Sequence, residues 1–102
     1  MTTPEDPLTD FADRVVVVTG GSRGLGRAMV EAFARCGADV VIASRKLDAC
    51  EALASEVSAA TGRRALPVAC HVGDWEQCDA LTEAVYDTFG RCDVLVNNAG
   101  SS

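Results

Sequence analysis

The chain is poor in residues that would mark several common functions. Its 102 residues include one lysine, Lys46, and one histidine, His71. Acidic residues outnumber basic ones 15 to 9, for a formal net charge of -6. Basic residues adjoin only at Arg45-Lys46 and Arg63-Arg64, so the electrostatic footprint of a nucleic-acid binder is missing and no nucleic-acid partner is expected. Five cysteines, at 36, 50, 70, 78 and 92, lack any C-x-x-C spacing. With a lone histidine beside them, no metal site is expected. Their odd number and core-like settings read as reduced thiols of a cytoplasmic protein. No apolar run approaches the ~20 residues of a membrane span, so no membrane partner is expected. The first ten residues hold two prolines, three acids and no basic residue, unlike a secretory signal. Residues 1–11 read as a flexible acidic leader, and 12–102 as a single small domain.

What is present alternates between two periodicities. Val15-Val16-Val17-Val18 is a β-branched run closed by Thr19-Gly20, which predicts a strand buried on both faces. Leu25, Met29, Ala32, Phe33 and Cys36 recur at helical spacing before Gly37. Val40–Ala43 reads as a second strand, and Leu47, Cys50, Leu53, Ala54 and Val57 as the face of a second helix ending near Thr61-Gly62. Ala65–Ala69 is a third strand, with Pro67 placing it at or near a sheet edge. Asp74 and Gln77 open a third helix in a capping-box-like pattern. Its face runs through Cys78, Leu81, Val85 and Phe89 to a stop at Gly90. Asp93–Val96 is a fourth strand. The fold class is α/β, a parallel sheet of four strands with three helices, and right-handed crossovers favour the order 3-2-1-4. Helices one and two should cover one face and helix three the other, leaving strand four as an edge.

The most informative stretch is Thr19-Gly20-Gly21-Ser22-Arg23-Gly24-Leu25-Gly26, where strand one hands over to helix one. Gly20 suits a tight turn, Gly24 admits a phosphate with no Cβ in its way, and Gly26 permits close helix–strand packing. The helix N-terminus, with its free N–H groups and positive dipole end, then faces a pyrophosphate. No Lys-Ser or Lys-Thr follows the glycines, which excludes a P-loop and leaves a dinucleotide as the expected ligand. At the end of strand two, an acid would accept hydrogen bonds from an adenosine 2′-hydroxyl. The sequence instead has Ser44-Arg45-Lys46, with no acid before Asp48. Arg45 can grip a phosphate through two N–H groups, and Arg23 is positioned to reach the same group. NADP(H) is the expected cofactor, with NAD(H) the alternative.

The T-G-x-x-x-G-x-G spacing and the Asn97-Asn98-Ala99-Gly100 run after strand four resemble the short-chain dehydrogenase/reductase family, from about Val15 to Gly100. The resemblance implies a partial doubly wound Rossmann fold. It implies that Gly20, Ser22, Arg23, Gly24, Leu25 and Gly26 line the cofactor, and that Asn98, Ala99 and Gly100 approach its ribose while Asn97 ties strand four to its neighbours. After strand three such proteins commonly clasp the adenine with an Asp or Asn followed by Val; here the pair is His71-Val72, a departure at the first position. The family's catalytic Tyr-x-x-x-Lys, with a Ser upstream, lies beyond the Asn-Asn-Ala-Gly strand. The one tyrosine, Tyr86, is followed four residues later by Gly90, so no catalytic residue is assigned. The resemblance thus implies the truncated N-terminal half of an oxidoreductase acting on a carbonyl or alcohol, homo-oligomeric as a full-length parent and inactive as this chain alone. A non-catalytic NADP(H) sensor or a subunit-interaction module is the alternative.

Overall fold

The computed structural model describes residues 11–71 and 73–98. Among them the elements are β1 (Val15–Thr19), α1 (Gly24–Arg35), β2 (Asp39–Ser44), α2 (Leu47–Thr61), β3 (Ala65–Ala69), α3 (Trp75–Phe89) and β4 (Val94–Asn97). The four strands are parallel in the order β3-β2-β1-β4. Pro67 pairs with Ile42 on the edge strand β3, where a missing backbone donor is tolerated.

The valine run of β1 divides between two cores, because successive strand side chains point to opposite faces. Val16 and Val18 pack with Val40, Ile42 and the buried faces of α1 and α2. Val15 and Val17 pack with Val41, Ala43, Cys70 and two α3 residues, Leu81 and Val85. All five residues of β1 are buried, as are the first five of β2. The two flanking layers follow from this double-sided burial. Gly62 and Gly90 end α2 and α3 in the left-handed conformation, at φ 73° and 75°, which glycine adopts without a Cβ penalty.

Two apolar patterns sit differently from expectation. On α1 the buried residues are Gly26, Val30 and Ala34, a stripe rotated by one position from the Leu25–Met29 spacing. Leu25 is 67% exposed, and Met29 and Phe33 only border the core. The cause is steric. A Cβ built on Gly26 would overlap the Gly20 carbonyl and lie 2.8 Å from Asn98 Nδ2, so this position must face the turn and fixes the helix rotation. On α2, Leu47 is exposed, while Cys50, Leu53, Ala54 and Val57 are buried.

A set of ion-paired residues gathers at the N-terminal ends of the strands. Asp39, 4% exposed, opens β2. Its Oδ1 accepts the Arg64 backbone N–H at 3.0 Å, and its Oδ2 accepts Arg64 Nη2 at 2.9 Å. Arg63 adds an ion pair at 3.3 Å. The Arg64 guanidinium lies 4.5 Å above the Phe89 ring, in cation–π contact. Before β4, Asp93 Oδ2 accepts the Val15 N–H at 2.8 Å, and its Oδ1 takes Arg91 Nη2 at 2.6 Å. The Arg91 hydrogen bond, then the Val15 bond, hold the Asp93 carboxyl below the usual aspartate value. Arg63 and Arg64 thus anchor this end of the sheet.

Candidate functional site

The opposite, C-terminal ends of the strands converge. Register sets Thr19 beside both Ala43 and Asn97, and Ser44 beside Ala69. The four strands therefore finish at one end of the sheet, which carries the glycine turn, Ser44–Lys46, His71 and Asn98. Val72, Ala99 and Gly100 lie outside the described residues.

The turn after β1 is built on its backbone. Gly20 and Gly21 both donate to the Ala43 carbonyl, at 2.7 and 3.4 Å, carrying the β1–β2 contact one step past the strand. Gly20 sits at φ 67° and Gly24 at φ 60°. Open space surrounds the position of a Cβ on Gly24, whereas on Gly21 a Cβ would press within 3.1 Å of Val18 O and Val30 Cγ2. Arg23 is the extended residue preceding α1; it provides no side-chain cap, and the first turn contains no acid. The α1 N-terminus thus keeps its positive end unneutralised by side chains.

Three cations surround this end. Arg23, Arg45 and Lys46 are exposed, and no ion pair joins any of them among the described residues. Ser44 is committed to the turn. Its hydroxyl oxygen accepts the Lys46 N–H at 3.2 Å and lies 3.1 Å from Cys50 Sγ. Asp48, the first acid after β2, accepts the Ala49 N–H at 2.9 Å within its own helix.

His71 is held from both sides. Its N–H donates to Gln77 Oε1 at 2.7 Å, and its Nδ1 accepts the Gly73 N–H at 3.1 Å. With Nδ1 occupied as acceptor, the neutral ring carries its proton on Nε2. Asp74 caps α3 by accepting the Glu76 and Gln77 N–H groups at 2.9 and 3.2 Å. Gln77 does not return its side chain to the Asp74 backbone, as the expected capping box would; it bridges His71 N and Asp74 Oδ2 instead.

Thr19 is the organising residue that sequence reading did not single out. Its hydroxyl faces Asn97 Oδ1 at 3.0 Å and Val96 O at 3.3 Å, and accepts the Asn98 N–H at 3.1 Å. Asn98 Nδ2 reaches the Gly20 carbonyl at 3.5 Å. Asn97 thereby ties β4 to β1, and Asn98 supports the glycine turn. The available signal was a hydroxyl ending an otherwise apolar strand, but its partners lie 77 to 79 residues away.

Comparison with known proteins decides the family. The model of the short chain dehydrogenases matches residues 14–102. The chain belongs to the short chain dehydrogenase family. Its parallel sheet in the order 3-2-1-4 with three helices is the Rossmann-like fold of this oxidoreductase family. Short chain dehydrogenase pigC of Monascus ruber is 46% identical over 102 residues, covering 93% of this chain and 33% of that protein. The peroxisomal 2,4-dienoyl-CoA reductase of Danio rerio is 41% identical over 92 residues, 90% of this chain and 31% of its own length. Among solved structures, L-sorbose reductase from Gluconobacter frateurii, complexed with NADPH and L-sorbose, superposes with a TM-score of 0.87 at 40% identity, covering 90% of this chain and 35% of that one. The chain spans about a third of the length of these relatives. No helix of the described residues is long and apolar enough to cross a membrane, and no group of three or more metal-ligating side chains forms among them.

Proposed function

We propose that this chain forms the adenosine and pyrophosphate side of an NADP(H) site in an oxidoreductase acting on a carbonyl or alcohol. The observation that carries the reading is the cluster of cations without carboxylate partners, Arg23, Arg45 and Lys46, beside an α1 N-terminus that no side chain caps. Cations at helix N-termini are disfavoured by the dipole, so a bound anion is the natural neutraliser of both. The glycine turn fits that group: Gly24 leaves open space where a side chain would stand, and Gly26 lets the helix start lie against the Gly20 carbonyl. NADPH in the complex of the sorbose reductase supports the same choice for that relative.

In this reading the α1 N–H groups receive the pyrophosphate and Arg45, with Lys46 and Arg23, receives the 2′-phosphate. The end of β2 carries Ser44-Arg45-Lys46 and no acid, whereas Asp48 lies inside α2, so the usual ribose acceptor that selects NAD(H) is missing from that position. His71 presents Nε2–H as a donor to the adenine edge, a role that its bonds to Gln77 and Gly73 pre-orient. Asn98, Ala99 and Gly100 are assigned to the cofactor ribose. The bound cofactor would supply a hydride for transfer to a substrate carbon.

Titration of the protein with NADPH and NADH, followed by nicotinamide fluorescence, tests this. NADPH should bind more tightly. Arg45→Ala should weaken NADPH by roughly 10- to 100-fold, the loss of one charge-assisted contact of about 1.5–3 kcal/mol, and leave NADH unchanged. Equal weakening of both would remove the 2′-phosphate assignment.

A further inference from the structure

Two of the five cysteines are brought together by the β3–α3 connection. Cys70 leaves β3 and donates its backbone N–H to Ser44 O at 2.8 Å, while Cys78 lies in the second turn of α3. Both belong to the core between the sheet and α3, Cys70 fully buried and Cys78 at its margin. Cys70 Sγ lies 3.8 Å from the carbonyl of Gln77, the residue before Cys78. The connection is folded tightly back, with Asp74 N bonded to His71 O at 2.9 Å and Gln77 Oε1 to His71 N. On the other side Cys78, only partly buried, lines a groove of about 360 Å³. Cys36, Cys50 and Cys92 lie elsewhere in sequence; Cys92 borders the same core and groove but precedes β4, on the far side of α3 in sequence from the β3–α3 connection.

We propose that Cys70 and Cys78 form a reversible disulfide that clamps the connection carrying His71. Glutathione disulfide is a sufficient oxidant. The Cys78 thiolate attacks one glutathione sulfur, forming a mixed disulfide and expelling glutathione thiolate. The Cys70 thiolate then attacks the Cys78 sulfur and expels the second glutathione. The two cysteines lose two electrons and two protons, and the oxidant leaves as two thiols. Access makes Cys78 the point of entry. Burial pushes the Cys70 thiol above its usual pKa and persists in the mixed disulfide, so the closing step accelerates as pH rises. Reduction restores the open dithiol. Any effect of the clamp on nucleotide rests on the role given to His71 above; formation of the bond does not.

The experiment uses the purified protein equilibrated in a series of glutathione buffers, then alkylated, digested with trypsin and weighed. No lysine or arginine lies between Ala65 and Arg91, so one peptide carries both cysteines. The expected product is that peptide lighter by two hydrogens and carrying no alkyl group, with Cys36, Cys50 and Cys92 still alkylated. Dithiothreitol should return it to the doubly alkylated form. Cys70→Ser should instead stop at a Cys78–glutathione adduct, and Cys78→Ser should abolish both products. Full alkylation of both thiols across the series overturns the proposal. So does a cross-link between Cys78 and the peptide that begins at Cys92, or a wild-type adduct that never closes. Because the readout is a mass without nucleotide present, its failure leaves the NADP(H) reading standing, and the reverse holds.

Discussion

Gly24 and Gly26 stand two residues apart in one turn, and their surroundings give them different work. Gly24 has positive φ and open space around it, so Gly24→Ala should cost about 1 kcal/mol of backbone strain. Gly26 has no room for a Cβ against the Gly20 carbonyl, and Gly26→Ala should cost about 1–3 kcal/mol through overpacking. Denaturant midpoints of the two variants check this order; equal losses would mean that α1 is not locked by the Gly20 contact. At the other end of the sheet, Asp93 has a depressed pKa. Its contribution is present above the unfolded-state value of about 4 and is lost as pH falls below it through the folded pKa. Asp93→Asn should therefore flatten the acid limb of a plot of Tm against pH and lower Tm at neutral pH. An unchanged acid limb would show that its bonds to Arg91 and Val15 are not made in solution.

At the scale of elements, the order of strands and helices was legible because double-sided burial writes itself as unbroken β-branched runs, and helices as apolar spacing ended by glycine. The rotation of α1 was not. Its determinant is a backbone-to-backbone approach at Gly26, which carries no hydrophobic signal, so the larger side chains of Leu25 and Met29 point to the wrong stripe. A Val30→Ala variant should lose about 2 kcal/mol as a buried truncation, while Leu25→Ser should stay within about 0.5 kcal/mol; urea denaturation separates the two. The α3 start was read correctly as an Asp-capped helix, but the Gln77–His71 bridge was not, because it links the helix to the connection before it. Removing the cap by Asp74→Ala should cost about 1 kcal/mol and also loosen His71. Exchange of the His71 amide with deuterium should accelerate in that variant and stay slow in the wild type. The glycine turn, Arg45-Lys46 and Asn97-Asn98 stand out as local motifs; the Thr19 hydroxyl that ties Asn97 and Asn98 to the end of β1 needs the pairing of β1 with β4.

For the whole molecule, β4 is an edge strand whose Leu95 is 64% exposed, beside Tyr86 at 52%. Both border the groove between β4 and α3. Open edges next to apolar surface promote pairing between chains. The isolated 102-residue chain should therefore associate with copies of itself, and Leu95→Lys should reduce that association. Light scattering across a concentration series measures it, and a monodisperse monomer with a sharp melt would refute the expectation.

The parallel strands also give the sheet two ends with different constituents. One end is held by Asp39, Arg63, Arg64, Arg91 and Asp93, each engaged in an ion pair. The other carries Arg23, Arg45 and Lys46, whose side chains make no ion pair among the described residues. Sequence drift at the second set meets little resistance from folding. If these residues hold the proposed nucleotide, ligand preference can evolve, or be redesigned, at exposed positions without compensating changes in the frame.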